Sequence, residues 1–155
     1  MSCDPFHRHD HAACHDRTLA AVDALCAERG LQFTPTRREV LDLLLRAPKA
    51  LGAYDILAQL AGDGAKAPPV AYRALDFLVS NGFAHRLEKL NAYVACAHPG
   101  DAHLPAFLIC RACDRVAEAD APRPLNKAAR EQGFTIEGVV MEAVGLCPAC
   151  ADAAE

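Results

Sequence analysis

Two copies of Cys-x-x-Cys constrain this chain more than any other feature. "CRAC" carries Cys110 and Cys113, "CPAC" carries Cys147 and Cys150, and 33 residues lie between them. Each knuckle follows a strand-like run, and each backbone turn aims two sulfurs at one point. Four thiolates so placed suit a tetrahedral Zn²⁺ that no water or substrate reaches, a structural ion. The competing readings are a redox Cys-x-x-Cys, a disulfide pair or buried free thiols. Two knuckles at this spacing in a reducing compartment favour zinc over all three. A fold that contains such a site must bring the chain's end back to the middle of its second half.

The compartment follows from what else the chain contains. "MSCDPFHRHDHAACH" has no apolar core of the kind a signal peptide needs, and no window approaches the roughly 18 apolar residues of a membrane span. The expected location is the cytoplasm, with no membrane partner and thiols kept reduced. Of 155 residues, 52% are hydrophobic and 23% charged, ordinary globular material with a modest core. The net charge of −4 is unevenly spread. Arg29 to Lys89 holds nine Lys/Arg against six Asp/Glu, a surplus of +3, and residues 91–155 hold five against nine, −4. A nucleic-acid contact therefore belongs to the first half.

Helical periodicity organises that first half. Residues 1–15 read as a mobile tail rich in His and Cys: Cys3, His7, His9, His11, Cys14 and His15. Its two readings are weak metal scavenging and no required role. A first helix begins at Asp16, with Leu19, Val22 and Leu25/Cys26 recurring on one face and Gly30 as its stop. Thr34 and Pro35 start a second, with Val40, Leu41, Leu44 and Leu45 as its stripe. "AYDILAQLAGDG" forms a third, closed by Gly62 and Gly64. Pro68 and Pro69 open a fourth, with Ala71, Ala74, Leu75 and Leu78 inward and Gly82 at its end. "FAHRLEKLNAYVAC" then reads as a β-hairpin centred on Leu90-Asn91, which sets His85 opposite Cys96. Short helices followed by a hairpin make a winged helix-turn-helix over 16–97. A hinge at 98–104 leads to a small α/β unit over 105–155, built from "AFLIC", "RVAEA", the helix "PLNKAAREQG" and "FTIEGVVMEAVGL". The fold class is α+β.

Two further constellations carry chemistry. His85, Cys96, His98, His103 and Glu118 come from the wing, the hinge and the second unit. Each alone reads blandly, as a surface or core histidine or a small hydrophobic thiol. Together they offer one thiolate, imidazoles and a carboxylate, a neutral set with zinc that exchanges more readily than four thiolates. The second constellation is a candidate DNA surface. Tyr72 and Arg73 lie near the start of the fourth helix, where such folds reach base edges, and an arginine donates two bonds to guanine. Tyr54 and Arg37 are candidates for a thymine methyl or a phosphate. Against this, each of these side chains also fits a solvated or half-buried helix face.

The motifs "FTPTRREVLDLL", "AYDILAQL", "PPVAYRALDFLVSNGFAHRLE", "NAYVAC", "AHLPAFLICRACDRV" and "GLCPAC" together resemble the ferric uptake regulator family, in its zinc uptake regulator branch. The resemblance covers nearly all of the chain after residue 15. The branch is indicated by "HLPAFLIC", where a single histidine precedes the first knuckle in place of the dense cluster of iron and peroxide sensors. What the resemblance implies is a homodimeric repressor whose second unit is a dimerisation domain. It implies structural zinc at Cys110, Cys113, Cys147 and Cys150, regulatory zinc at His85, Cys96, His103 and Glu118, and thus two Zn²⁺ per chain. It likewise implies that Tyr54, Tyr72 and Arg73 face a palindromic, AT-rich operator of zinc-uptake genes, with no catalysis and no small-molecule substrate. Two departures stand out: Val70 replaces a threonine at the front of the fourth helix, and His98 competes with His103 as ligand. The alternatives are a zinc buffer or metallochaperone, for which the tail and eight cysteines are the working parts, and a regulator of the same family answering another divalent metal. A metal hydrolase fits poorly, because four protein ligands leave no position for water.

Overall fold

The structure, a computed structural model, describes residues 5–6, 10–60, 67–121 and 125–153. Cys3, His7 and His9 of the tail, and Gly62 and Gly64, lie outside the described residues. The elements are α1 (His11–Arg29), α2 (Pro35–Arg46), α3 (Ala53–Leu60), α4 (Pro68–Ser80), β1 (Ala84–Leu87), β2 (Ala92–Ala95), β3 (Pro105–Cys110), β4 (Val116–Asp120), α5 (Asn126–Glu131), β5 (Met141–Gly145) and α6 (Pro148–Asp152). The class is α+β. No helix among the described residues is long and apolar enough to cross a membrane.

Local chemistry explains the helix ends. The Thr34 hydroxyl accepts from the Arg37 N–H, and Pro35 occupies the first turn of α2, where its missing donor costs nothing. After α4, Gly82 takes φ +76 and the Phe83 N–H bonds back to the Leu78 carbonyl at 2.8 Å. That reversal needs a left-handed residue, which glycine supplies without strain. It drops Phe83 into the core formed by Val22, Val40, Leu41, Ile56, Leu75 and Leu78, all fully buried. Each such side chain contributes about 1.5–3 kcal/mol of transfer free energy.

α1 corrects one expectation. It begins at His11, five residues before Asp16, because the Asp10 carboxylate caps the Ala13 N–H and His15 bonds Asp42 of α2 at 2.7 Å. Cys14 is buried in that added turn. So His11, Cys14 and His15 belong to a packed helix. The connector after β2 lies along the same helix: Gly100, at φ +89, sits where a Cβ would stand 2.9 Å from Leu25 Cδ1.

The hairpin register is a second correction. Ala84 pairs with Ala95, His85 with Val94, Arg86 with Tyr93 and Leu87 with Ala92. This is two residues away from a His85–Cys96 pairing. A two-residue turn at Leu90-Asn91 would put both residues at positive φ, which a leucine resists. The wider turn over 88–91 asks this only of Asn91, at φ +47. A slip of two preserves the face, so Cys96 still lies on the side of His85, one diagonal step away. Leu51 adds a bridge to Tyr93, with N···O distances of 3.0 and 2.8 Å, and fastens the hairpin to the α2–α3 connection.

The second half is a three-stranded sheet in the order β4-β3-β5, with β4 antiparallel and β5 parallel to β3. Of the strand-like run 134–146, only Met141–Gly145 is strand, since β3 offers partners no further. One cross-sheet row joins the two halves. Phe107 of β3 faces Glu118 on β4 and Glu142 on β5, so these three side chains share one level and one face. That face meets the hairpin.

Candidate metal centres and reading helix

The knuckles meet as their spacing requires. Cys110 ends β3, Cys113 lies in the turn after it, and Cys147 and Cys150 flank the start of α6. The Arg111 N–H bonds the Gly145 carbonyl at 2.9 Å, which carries the β3–β5 pairing up to the knuckles and sets them side by side. One sulfur of each of the four residues falls within 4.8 Å of the others. Cys113 Sγ and Cys147 Sγ are 3.8 Å apart, far beyond a disulfide bond. Thiolates at the usual Zn–S distance on tetrahedral corners stand about 3.8 Å apart, so the spacing fits zinc. The backbone favours a thiolate here as well. The Cys147 N–H donates to Cys110 Sγ at 3.3 Å, the main reason that thiol is lowered to about 6. Cys150, donating to Cys147 and Cys113, is raised to about 12.

The second cluster draws on four pieces of chain: His85 from β1, Cys96 just past β2, His103 just before β3, and Glu118 from β4. Their donor atoms also lie within 4.8 Å of one another. Cys96 Sγ is 3.6 Å from His103 Nε2 and 3.9 Å from Glu118 Oε1, and His85 Nε2 is 3.5 Å from the same oxygen. Sulfur and nitrogen on a shared tetrahedral zinc are about 3.6 Å apart. His103 Nδ1 is 2.8 Å from the Asp101 carbonyl, which only accepts, so Nδ1 carries the hydrogen and Nε2 faces the cluster. His85 Nε2 is buried without a hydrogen-bond partner among the described residues. An orphaned imidazole nitrogen beside a thiol and a carboxylate has the chemistry of a metal-binding donor set. The residues fit zinc. His98 stands outside the cluster, its ring 5.9 Å from that of His103.

Burial tunes these groups. Desolvation, with the negative Glu118 beside it, pushes the Cys96 thiol up to about 12. Burial raises Glu118 too, but the facing His85 imidazole 3.5 Å away, the Ala97 N–H bonded at 2.8 Å and His103 outweigh it and hold the carboxyl below its ordinary value. Desolvation lowers His103, yet the Asp101 carbonyl and Glu118, 2.6 Å from Nε2, leave it raised.

The candidate DNA residues separate into two groups. Tyr54 on α3 is 77% exposed and Tyr72 on α4 is 42% exposed, with Arg73 beside it, also exposed. Arg73 has no hydrogen bond or ion pair with the described residues. Arg37 is already engaged: its guanidinium lies 3.8 Å from the Phe77 ring centre and donates to the Gln32 carbonyl. At the front of α4, Ala67 offers no side-chain cap and Val70 has no hydroxyl to replace it.

One contact between the two halves escaped the sequence reading. The Glu142 carboxylate accepts from the backbone N–H of Glu88 at 2.6 Å and of Lys89 at 2.8 Å, at the hairpin turn. Backbone donors leave no mark in a sequence, so the pairing had no signal there.

No protein-family profile matches the chain. The zinc uptake regulation protein of Escherichia coli (strain K12) is 41% identical over 140 residues, which cover 86% of this chain and 81% of that protein. The chain belongs to the zinc uptake regulator branch of the ferric uptake regulator family. Solved structures of that branch agree. A zinc uptake regulator complexed with zinc and DNA matches at TM-score 0.86 and 37% identity, covering 90% of this chain and 97% of its own. Holo XcZur matches at 0.80 and 43% identity, over 86% and 96% of the two chains. Apo XcZur is as similar in sequence, 42%, but reaches only 0.53, over 88% and 97%. With sequence likeness held constant, the difference lies in conformation.

Proposed function

We propose that the chain is a zinc-responsive transcriptional repressor, not an enzyme, that binds a palindromic operator of zinc-uptake genes as a homodimer. The observation that carries this reading is the meeting of His85, Cys96, His103 and Glu118, drawn from the hairpin, the connector and the sheet into one donor set. Four protein donors leave no open position for chemistry, which suits a switch. Residues 16–97 form the winged helix-turn-helix, 98–104 the hinge and 105–155 the dimerisation domain, with the helix from His11 extending the first of these. Cys110, Cys113, Cys147 and Cys150 hold structural zinc, giving two ions per chain.

Bound zinc supplies four bonds that tie wing, hinge and sheet to a single point. The chain's own residues turn that into DNA binding. β1 follows α4 through Gly82 and Phe83, so an orientation imposed on the hairpin at His85 is imposed on α4. Tyr72 and Arg73 at the front of α4, together with the exposed Tyr54 of α3, face the operator. Leu108, Phe134, Val140 and Val144 are exposed apolar residues of the second half, the surface for the second copy. In the dimer, fixing α4 against the sheet fixes the separation of two reading helices, which must match successive major grooves. The closer likeness to holo than to apo XcZur supports a docked arrangement of this kind.

Coupling of this type is typically about 1–3 kcal/mol, a factor of roughly 5–150 in affinity. The test is binding to a duplex selected from a random pool by the zinc-loaded chain, at fixed salt and over a series of buffered free-zinc concentrations. Affinity should rise by a factor in that range as the second zinc per chain binds. Equal affinity with one zinc and with two would rule out the switch.

A further inference from the structure

The row Glu118–Phe107–Glu142 meets the hairpin at its base, its middle and its turn. At the base, Glu118 accepts from the Ala97 N–H at 2.8 Å and closes the donor cluster with His85 and Cys96. In the middle, the Phe107 ring packs 5.3 Å from the His85 ring and is itself buried. At the turn, Glu142 takes the Glu88 and Lys89 N–H groups. Successive backbone N–H groups aimed at one point form a concavity that binds anions. Here it is filled by a carboxylate 53 and 54 residues away in sequence. The distances of 2.6 and 2.8 Å are those of charge-assisted bonds. Glu142 itself bonds no metal donor atom.

We infer that Glu142 is a second latch on the hairpin, independent of metal, and that it sets how much zinc the regulatory site needs. The geometry makes it a positioning residue: it touches no donor of the cluster, yet it holds the first two residues of the turn that follows the strand carrying His85. With the turn held by Glu142, the hairpin stays docked before the four donors are joined, and the ion finds them assembled. Without the latch, part of the binding energy at the cluster goes into docking the hairpin, and apparent affinity drops by the fraction of time the hairpin is undocked. The inference rests on the zinc-switch reading above and adds to it a determinant of the set point outside the ligand shell.

Glu142→Gln keeps the shape and removes the charge and one acceptor. Glu142→Ala removes both acceptors. Zinc uptake of the full chain is followed by competition with a chelator, and amide hydrogen exchange is read at Glu88 and Lys89. Both variants should keep two zincs at saturation, with the four-cysteine ion held as in the wild type. Free zinc at half-occupancy of the second site should rise about tenfold, the order expected from losing charged hydrogen bonds at a part-exposed site. Protection of the Glu88 and Lys89 amides should be lost. An unchanged half-occupancy, or amides protected equally without the carboxylate, overturns the latch while leaving the switch standing. A wild-type chain that takes up only one zinc overturns both.

Discussion

His103 has a separate task for each ring nitrogen. Nδ1 donates its hydrogen to the Asp101 carbonyl, and Nε2 lies 2.6 Å from Glu118 Oε1 within the donor cluster. The protonation states oppose metal-free stability to zinc uptake. His103 is raised above its ordinary 6.5, so its contribution to metal-free stability is complete below that value and disappears as pH climbs through the folded value. Glu118 is lowered below 4.5, so its share is present above that value and is lost as pH falls through the folded one. Between those limits both contribute, yet there zinc must expel the His103 proton. Cys96, pushed up to about 12, is a thiol throughout that range and also gives up a proton when it ligates. Calorimetric zinc titrations near neutral pH, in buffers of different ionisation enthalpy, should therefore report release of about one proton from Cys96, with a further fraction from His103 that grows as pH falls. Zinc binding at the second site without proton release would contradict the assignment of Cys96 as a ligand.

At the scale of elements, the proposed switch would make one lever of α4 and the hairpin, and the front of α4 is open to solvent at Tyr72 and Arg73. Arg73→Ala should lower operator affinity by about 1–3 kcal/mol at fixed salt and relax the preference at one base position. Arg37→Ala should act differently. Its guanidinium rests on Phe77, so removing it costs about 0.5–1 kcal/mol of folding stability and leaves operator affinity nearly unchanged. Chemical denaturation beside a gel-shift titration separates the two, and a larger operator loss for Arg37 than for Arg73 would reverse the proposed surface. Which elements could be read in advance depends on where their information lies. Thr34, Pro35 and Gly82 mark helix ends through chemistry confined to a few residues, and the spacing of Val40, Leu41 and Leu44 marks the buried face. The start of α1 was hidden because Asp10 caps a His-rich turn with no apolar stripe, stabilised by a contact from His15 to Asp42, 27 residues away. The hairpin register depended on the turn, and Leu90-Asn91 is a weak turn signal. The donor clusters were legible because Cys, His and Glu are chemically specific. Glu142 was not, since its partners are two main-chain amides.

Across the whole molecule, the two halves differ in what holds them. The first has a continuous core running from Val22 to Ala84. In the second, among described residues, only Phe107, Ile109, Cys110, Ala117 and Cys147 are buried hydrophobics, and two of those five are proposed zinc ligands. Such a unit buries too little apolar surface to stand by itself, so under the proposed function its folding energy comes from the metal and from a second copy over the exposed Leu108, Phe134, Val140 and Val144. Strong chelation, or Cys113→Ser, should accordingly melt residues 105–153 and the dimer with them. The helical half should remain folded, because its core has no ligand in it apart from the hairpin's edge. Hydrogen exchange by segment, with sedimentation in parallel, reads both events. Protection should vanish over β3–β5 while Val40, Leu75 and Leu78 stay protected, and the mass should fall to one chain. A dimer that survives with its sheet protected after the four-cysteine ion is removed would show that packing alone sustains the second half. Weak chelation should do something else: it empties the mixed His–Cys–Glu cluster first, leaving the dimer whole and the reading helices unfastened. The order in which the two ions leave thus separates a fold held by one metal from a conformation set by the other.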